Sequence, residues 1–350
     1  MDQRDKRVTN ISQQLWSLIN QIDQLKGQWI GGAKLNPQAL GRLKRSVLVT
    51  SSGASTRIEG AKLSDDDVEK LMRGLSAKKF ADRDKQEVKG YYELLENVFN
   101  SWKHIQITES TIKHFHKELL KYVAKDKRHR GEYKKGENRV EMFDEHGKSL
   151  GVMFETTPAY LTPKQTQELV EWTQQALKQK EIHPLIVIAN FLVEFLAIHP
   201  FQDGNGRLAR ILTNSLLLKS GYAYVPYVSH EKLVEDNKSE YYVALRKSQA
   251  TFKSKQDNIT SWLKFFLQVS LTQARHAVNL LSRENIEKLL SPKQIAVWQY
   301  LEKVSEATPA EVAKAAGVAR PTVSQALGVL LRLKKIERLG QGRTTRYRKL

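Results

Sequence analysis

The stretch from His199 to Arg210, His-Pro-Phe-Gln-Asp-Gly-Asn-Gly-Arg-Leu-Ala-Arg, combines the side chains that phosphate chemistry requires. His199 is the group in this stretch that can accept a proton at neutral pH. Asp203 supplies a hard oxygen ligand suited to Mg²⁺ on a di- or triphosphate. Gly204 and Gly206 let backbone N–H groups approach a phosphate closely. The stretch therefore predicts a general base, a metal ligand and a phosphate-binding turn.

Two arginines continue this turn into the helix that is predicted to follow it. Arg207 lies in the first turn of that helix, and Arg210 lies three residues later. Residues at i and i+3 share one helix face, so both guanidinium groups can reach the same anion. Each feature alone is more often structural, because Gly-x-Gly turns and arginine pairs are common. Their occurrence together in one short stretch favours a phosphate site.

The hydrophobic pattern predicts the elements that must position these groups. A strongly apolar segment from Leu185 to Ile198 predicts a buried helix before the turn, and Leu208 to Leu218 predicts a second one after it. Most of the remaining chain has the three-and-four spacing of amphipathic helices. An exception is the region of about 138–157, where β-type runs surround a polar turn and predict an irregular hairpin. The predicted fold class is therefore mainly α.

The composition of the chain indicates where the protein acts and which kinds of partner it binds. The chain has 350 residues, with 57 Lys and Arg against 38 Asp and Glu, which gives a net charge of +19. Such an excess favours polyanionic partners such as nucleic acid or nucleotide phosphates, although it also serves solubility. The absence of cysteine excludes disulfides and thiolate chemistry. We find neither a long apolar run nor a secretory signal, so we expect a cytoplasmic protein without membrane contact.

The stretch His-Pro-Phe-Gln-Asp-Gly-Asn-Gly-Arg-Leu-Ala-Arg resembles the full signature of the Fic family, HPFx[D/E]GN[G/K]RxxR. It matches at every specified position, and the resemblance extends over about residues 35–285. The resemblance implies a mainly helical Fic core with a β-hairpin flap. It also implies a protein adenylyltransferase, an enzyme that transfers the AMP moiety of ATP to a Ser, Thr or Tyr hydroxyl of a protein.

The resemblance assigns a role to each residue of the signature. His199 would be the catalytic base that deprotonates the target hydroxyl. Phe201 would point into the core and anchor the loop. Asp203 would bind the Mg²⁺ that bridges the α- and β-phosphates of ATP.

The rest of the signature would bind the phosphates of ATP. Gly204, Asn205 and Gly206 would cradle them through the backbone. Arg207 would contact the β-phosphate, and Arg210 would contact the γ-phosphate. Family members that lack the final arginine carry out other chemistry, and this chain keeps the adenylyl-transfer form.

A second match to the same family lies upstream of the signature. The residues from Ser55 to Gly60 fit the inhibitory motif [S/T]xxxE[G/N], placed N-terminal to the core as in class II members. The resemblance implies that Glu59 pairs with Arg210 and withholds its guanidinium from the γ-phosphate. The structural alternative is an ordinary helix end with Gly60 as its cap.

Two further segments resemble the family more loosely. The hairpin at about 138–157 corresponds to the flap that holds the target by strand addition. Asn237, Tyr241 and Tyr242 resemble the segment beside the adenine, where the rings would pack on the base. Core packing of the two tyrosines is the alternative, and the identity of the target is left open.

The last 60 residues form a separate basic unit. Residues 291–350 contain 12 basic and 4 acidic residues, a net charge of +8. Three helical patterns followed by a basic tail resemble a winged helix-turn-helix, whose third helix would enter the major groove of double-stranded DNA. The wing, Arg338 to Arg348, would contact phosphates. Protein docking or dimerisation is the alternative use of such a unit.

These observations predict three regions and one leading function. The regions are N-terminal helices at 1–110 with an inhibitory helix near 55–60, a Fic catalytic core at 111–285, and a winged helix-turn-helix at 291–350. We expect an ATP- and Mg²⁺-dependent protein adenylyltransferase autoinhibited by Glu59, with an unknown target that could be the chain itself. The alternatives are a DNA-binding regulator with a Fic core as sensor, and a hydrolase that uses Glu59 to remove AMP. A homodimer is left open.

Overall fold

The structure is a computed structural model that describes residues 3–9, 11–32, 37–74, 82–143, 149–252, 254, 257–333, 335–340 and 345–350, with backbone only at 38, 139–143, 149–155 and 282–289. The chain divides into two compact units, Met1–Val278 and Asn279–Leu350. The division falls within one long helix. The chain is mainly helical, as the sequence predicts.

The first unit contains helices joined by short connections. They are α1 (Gln3–Thr9), α2 (Gln13–Gly32), α3 (Pro37–Ile58), α4 (Asp65–Met72), α5 (Arg83–Ser101), α6 (Glu109–Leu119), α7 (Thr162–Gln179), α8 (Pro184–Ile198), α9 (Asn205–Lys219), α10 (His230–Asp236), α11 (Lys238–Gln249) and α12 (Thr260–Leu289). Single 3₁₀ turns occur at Ala124–Asp126, Ala159–Leu161 and Val225–Tyr227.

Helix α8 lies at the centre of the first unit. It is apolar on all sides, and all of its residues except Pro184 and Ala197 are buried. A helix that is hydrophobic all round must be enclosed by other elements. Helices α7 and α9 pack directly against it, and α9 in turn contacts α3, α5 and α6. The centre of the unit therefore holds the two helices that the apolar segments predict.

Capping side chains account for where several helices begin. Ser64 accepts a hydrogen bond from the Asp67 N–H while the Asp67 side chain accepts one from the Ser64 N–H, which forms a capping box. Thr108 caps α6 through the Thr111 N–H. Such caps satisfy backbone donors that have no partner inside the helix.

The predicted hairpin is present as two antiparallel strands, β1 (Arg139–Phe143) and β2 (Ser149–Glu155). The pairing shifts register twice, between Val140 and Glu141 and between Met142 and Phe143. It is therefore irregular, as the sequence predicts. The tip of the predicted hairpin, residues 144–148, lies outside the described residues.

The second unit has its own small core. Helices α13 (Pro292–Leu301), α14 (Pro309–Ala316) and α15 (Arg320–Arg332) precede two antiparallel strands, β3 (Ile336–Leu339) and β4 (Arg346–Lys349). Capping boxes at Ser291 and Thr308 start α13 and α14. A bridge from Ala307 to Tyr347 adds a second, short backbone pairing to this sheet. Part of the predicted wing, residues 341–344, lies outside the described residues.

Among the described residues, none of the helices combines the length and apolar character needed to cross a lipid bilayer.

Candidate functional site

His199 ends α8 in an unusual backbone conformation. Its φ of 52° and ψ of 62° are left-handed, and its N–H donates to the Phe195 carbonyl at 2.9 Å. Left-handed backbone costs free energy for a residue other than glycine, so the surrounding contacts must hold it in place. The conformation turns the chain sharply out of the helix and into the loop that leads to α9.

A backbone contact helps to orient the imidazole of His199. Nδ1 lies 3.2 Å from the Leu196 carbonyl. A carbonyl only accepts, so Nδ1 carries the proton and Nε2 holds the lone pair of the neutral ring. Burial lowers the pKa of His199 to about 4, and the nearby Lys134 adds to this effect. The ring is therefore neutral at pH 7 and can accept a proton at Nε2.

The loop between α8 and α9 is fixed from within by Asn205. The Phe201 N–H donates to Oδ1 of Asn205 at 2.9 Å, and Nδ2 of Asn205 donates to the Phe201 carbonyl at 2.8 Å. Phe201 is fully buried and stacks on His116, with ring centroids 3.9 Å apart. Asn205 therefore folds the loop through its side chain.

His116 holds the same loop from outside. Its Nδ1 accepts from the Gly131 N–H at 2.9 Å, which leaves Nε2 to donate to the Asp203 carbonyl at 3.0 Å. Burial lowers the pKa of His116 to about 4, so the ring stays neutral in this arrangement. Sequence reasoning missed this residue, because nothing in the local pattern of α6 distinguishes a loop-holding histidine from an ordinary one.

Helix α9 begins at Asn205, and its first turn faces the Glu59 carboxylate. Gly204 has a φ of 80°, which favours glycine, and allows the chain to enter the helix. A methyl group built on Gly206 would lie 2.2 Å from Oε1 of Glu59. The start of a helix presents N–H groups that attract anions. Glu59 therefore occupies space at the position where an anion would bind.

Arg210 connects this position to α3. Its Nη2 donates to Oε1 of Glu59 at 2.7 Å and to the Ser55 carbonyl at 2.8 Å, while Nε donates to Oγ of Ser55 at 2.8 Å. The expected ion pair between Glu59 and Arg210 is thus present. Burial opposes the charge of Arg210, but Glu59, Tyr241 and Tyr91 together raise its pKa. The buried Nη1 has no hydrogen-bond partner among the described residues.

Arg207 points to a different set of carboxylates. Its Nη1 lies 2.5 Å from Glu87, and its Nη2 lies 3.0 Å from Asp203. Burial opposes the charge of Arg207, but Glu87, Asp203 and Glu59 together raise its pKa. Arg207 and Arg210 both lie near Glu59, although they bind separate partners in this state.

The carboxylate of Asp203 is bound by two arginine side chains. Oδ2 accepts from Arg83 at 2.7 Å and from Arg207 at 3.0 Å, while Oδ1 accepts the Gly204 N–H at 2.7 Å. Burial would raise the pKa of Asp203, but Arg207, the Gly204 N–H and Arg83 outweigh it and lower that pKa. Asp203 is therefore ionised at neutral pH. Arg83 and Glu87 were not predicted as site residues, because both lie on α5, far from the signature in sequence.

The fit of this site to Mg²⁺ rests on one carboxylate. The described residues contain no cluster of three or more His, Asp or Glu side chains that could enclose a metal ion. Mg²⁺ at nucleotide sites is commonly held by one or two carboxylates together with the substrate's phosphates. An ionised, partly exposed Asp203 beside the α9 N-terminus suits that coordination.

The three residues predicted beside the adenine lie in different environments. Tyr241 is buried against Trp262 and Phe265, and it lines a cavity of about 20 Å³ together with Arg210. This volume holds about one water molecule. Tyr242 donates to the Ile58 carbonyl at 3.3 Å, and Asn237 is exposed, with its Nδ2 donating to the Leu233 carbonyl.

Residues 106–217 match the model of the Fic/DOC family. This range contains His199 and the whole turn into α9. Glu59 on one side, and Tyr241 and Tyr242 on the other, lie outside the matched range.

Curated relatives are similar to parts of the chain. A probable protein adenylyltransferase of Aquifex aeolicus is 27% identical over 157 residues, which is 42% of this chain and 48% of the relative. A Fido domain-containing protein of Dictyostelium discoideum is 36% identical over 100 residues, which is 26% of this chain and 66% of the relative. The chain therefore spans about half the length of the first relative and slightly less than two thirds of the second.

Solved structures match the fold over a longer range. A Fic family protein from Desulfovibrio desulfuricans has a TM-score of 0.64 and is 23% identical, with 97% of each chain covered. At this identity the likeness concerns the fold. The mainly helical fold of this chain is therefore shared with a solved Fic family protein.

Proposed function

We propose that the chain is a protein adenylyltransferase that transfers AMP from ATP to a protein hydroxyl. The observation that carries this proposal is the placement of a neutral histidine, with its lone pair on Nε2, directly before an anion site at the start of α9. The names of the curated relatives support the same reaction class. The chemistry assigned to the site follows from these groups.

In the proposed reaction, Nε2 of His199 takes the proton of the target hydroxyl. The hydroxyl oxygen forms a bond to the α-phosphorus of ATP, and the bond from that phosphorus to the bridging oxygen of pyrophosphate breaks. The N–H groups at the start of α9, together with Arg207 and Arg210, hold the negative charge of the phosphates. Electrostatic stabilisation and positioning of this kind dominate catalysis of phosphorus-centred transfer.

Asp203 is the residue that would hold Mg²⁺ in this site. The ion, when bound, supplies positive charge to the phosphate oxygens. Arg83 binds the same carboxylate oxygen, Oδ2, at 2.7 Å. It must leave that oxygen if the ion is to bind there.

We further propose that Glu59 inhibits the site. Its carboxylate binds Arg210 at 2.7 Å and lies over the first turn of α9. The position that Glu59 occupies is the one in which the γ-phosphate charge would be bound. ATP would then bind with its α-phosphate poorly aligned for in-line attack.

Labelled ATP tests the reaction class. With Glu59→Gly as the enzyme and a cell lysate or the chain itself as acceptor, we expect label from α-³²P-ATP in protein and none from γ-³²P-ATP. The α-label follows AMP, whereas the γ-label leaves with pyrophosphate. Transfer of the γ-label instead would show phosphoryl transfer, and absence of both labels would contradict an enzymatic function with ATP.

A second candidate function is DNA binding by residues 291–350. The observation that favours it is the exposure of Arg320, Ser324 and Gln325 on α15, since exposed polar side chains of a helix can reach base edges. The strand β4 gives weaker support than its sequence suggests. Its cations Arg346, Arg348 and Lys349 are paired with Glu306, Glu337 and Glu302.

Salt dependence tests DNA binding in the full chain. We expect weak binding to duplex DNA whose affinity falls steeply with salt, with each phosphate contact adding about −0.9 to the log–log slope. Arg320→Ala should weaken binding and reduce the magnitude of the slope by about 1. Lys178→Ala, which removes the same charge from the surface of α7, is the matched control and should change neither. An equal effect of both variants, or no binding at low salt, would exclude this use of α15.

A further inference from the structure

Lys134 is a buried cation outside the Fic signature. It lies between α6 and β1, with only 4% of its surface exposed. Its Nζ lies 2.8 Å from Oδ1 of Asn138, 2.8 Å from Oγ of Thr156 and 3.2 Å from the Ile198 carbonyl. An ammonium group has three donors, and here each has an acceptor. Burying a charge is costly unless it is fully hydrogen-bonded, so this site is built around the ammonium.

The same segment holds the backbone on both sides of His199. The Lys134 N–H donates to the Pro200 carbonyl at 2.9 Å, and Nδ2 of Asn138 donates to the Phe201 carbonyl at 3.0 Å. On the other side, the Thr157 N–H donates to the Ala197 carbonyl at 3.3 Å. Together with the bond from Lys134 to Ile198, these contacts bind the four carbonyls that flank His199. They offset the cost of its left-handed backbone.

Lys134 also holds the base of the hairpin. Asn138 directly precedes β1 and Thr156 directly follows β2. Thr156 donates through Oγ to the Asn138 carbonyl at 2.8 Å, so the two strand ends are bonded to each other as well as to the ammonium. One side chain therefore joins both ends of the hairpin to the backbone that carries His199.

We propose that Lys134 is a positioning residue that holds His199 in its reactive orientation by bonding the loop to the base of the hairpin, a role that rests on the proposed adenylyl transfer. The hairpin is the element expected to hold the target segment. A target bound there would be placed relative to His199 through these hydrogen bonds. Misplacement of reacting groups by about 1 Å can cost about 10²-fold in rate.

The charge of Lys134 provides a second readout that does not depend on activity. Among the described residues, the charged groups that act on the imidazole include Lys134, Glu59 and Asp203. Burial contributes most to the low pKa of His199, Lys134 lowers it further, and the two carboxylates oppose this. Burial lowers the pKa of Lys134 itself to about 8, so the side chain is mostly charged at pH 7. A neutral residue at position 134 should therefore raise the pKa of His199.

The test compares Lys134→Met with Lys135→Met, in which the neighbouring exposed lysine is changed. In a Glu59→Gly background, Lys134→Met should reduce kcat by about 10- to 100-fold with KM for ATP nearly unchanged. The NMR titration midpoint of His199 in the free chain should move to higher pH. Lys134→Arg, which keeps the charge, should return the midpoint toward that of the parent. Lys135→Met should change none of these values.

The outcomes separate this role from a structural one and from failure of the proposed reaction. An unchanged kcat in a folded Lys134→Met variant would overturn the role, as would a fall in kcat without movement of the His199 midpoint. If Lys134→Met does not fold, Lys134→Gln, which keeps two donors without the charge, is tested by the same criteria. If the parent transfers no AMP, the proposed reaction fails, while the His199 titration still decides whether Lys134 acts on the imidazole.

Discussion

Replacing His199 by alanine is expected to reduce AMP transfer by about 10²- to 10⁴-fold, the range for loss of a positioned general base. The physical reason is the tautomer of the ring: the bond from Nδ1 to the Leu196 carbonyl leaves the lone pair on Nε2. ATP binding should be nearly unchanged, because Arg207, Arg210 and the start of α9 remain. Incorporation of α-³²P and equilibrium binding of ATP measure the two quantities separately.

His104→Ala is the matched control, because His104 is exposed on the protein surface and should leave the rate unchanged. The pH dependence gives an independent check. The pKa of His199 is lowered to about 4, so its base form is present at all higher pH values and is lost as pH falls through about 4. We therefore expect that the titration of His199 does not change the rate of AMP transfer between pH 6 and 8. A native rate in His199→Ala, or a fall in rate around pH 6.5 that disappears in this variant, would contradict the assignment.

Glu59→Gly is expected to raise AMP transfer, including self-modification, by about 10- to 100-fold. The carboxylate of Glu59 binds Nη2 of Arg210 at 2.7 Å. A hydrogen bond to a charged group contributes about 1.5–3 kcal/mol, and about 1.4 kcal/mol corresponds to a tenfold change in rate. Glu59 is partly exposed, so the lower part of this range is favoured. The initial rate of α-³²P incorporation at fixed ATP concentration measures the gain.

Two variants separate the charge of Glu59 from its bulk. Glu59→Gln keeps the size of the side chain and removes its charge, so it should show a large part of the rate increase that we expect for Glu59→Gly. Glu59→Gly combined with Arg210→Ala should lose most of it, because the released guanidinium is then absent. An unchanged or lower rate in Glu59→Gly would contradict inhibition. Loss of an ability to remove AMP from a modified protein would instead favour the hydrolase alternative.

The sequence predicts the parts of the site that depend on local order. The helices on both sides of the turn follow from apolar segments, and the two glycines at the start of the second helix predict a turn whose N–H groups a phosphate could approach. The ion pair between Glu59 and Arg210 was also expected, although on family resemblance. The sequence alone does not show that residues 59 and 210 lie close together in the fold.

The contacts that sequence reasoning missed are all tertiary. His116, Lys134 and Arg83 each act on the loop from a distant segment, and none belongs to a periodic or spaced pattern. A single histidine or lysine in a helical or irregular segment is most often a surface residue. Only the fold shows that His116 and Lys134 are buried with complete hydrogen bonding.

The net charge of the last 60 residues is a poor guide to their ability to bind DNA. The sequence predicts a basic wing, Arg338 to Arg348, that would contact phosphates. In the structure the cations of β4, Arg346, Arg348 and Lys349, each lie within 4 Å of a carboxylate from another part of the same unit. A net charge describes the number of ions, whereas binding to DNA depends on those left without a nearby opposite charge.

The two contacts that Arg210 makes with Ser55 allow the site to change state without movement of α3. Ser55 binds Nε and Nη2 of Arg210 independently of Glu59. Removal of the carboxylate therefore leaves the guanidinium held in place, and rotation of one partly exposed side chain is sufficient. Such rotamer changes take picoseconds to nanoseconds, whereas helix displacement takes microseconds or longer. Exchange of Glu59 for a phosphate would thus require no movement of α3. The relative affinities of the two anions for the site would determine which of them is bound.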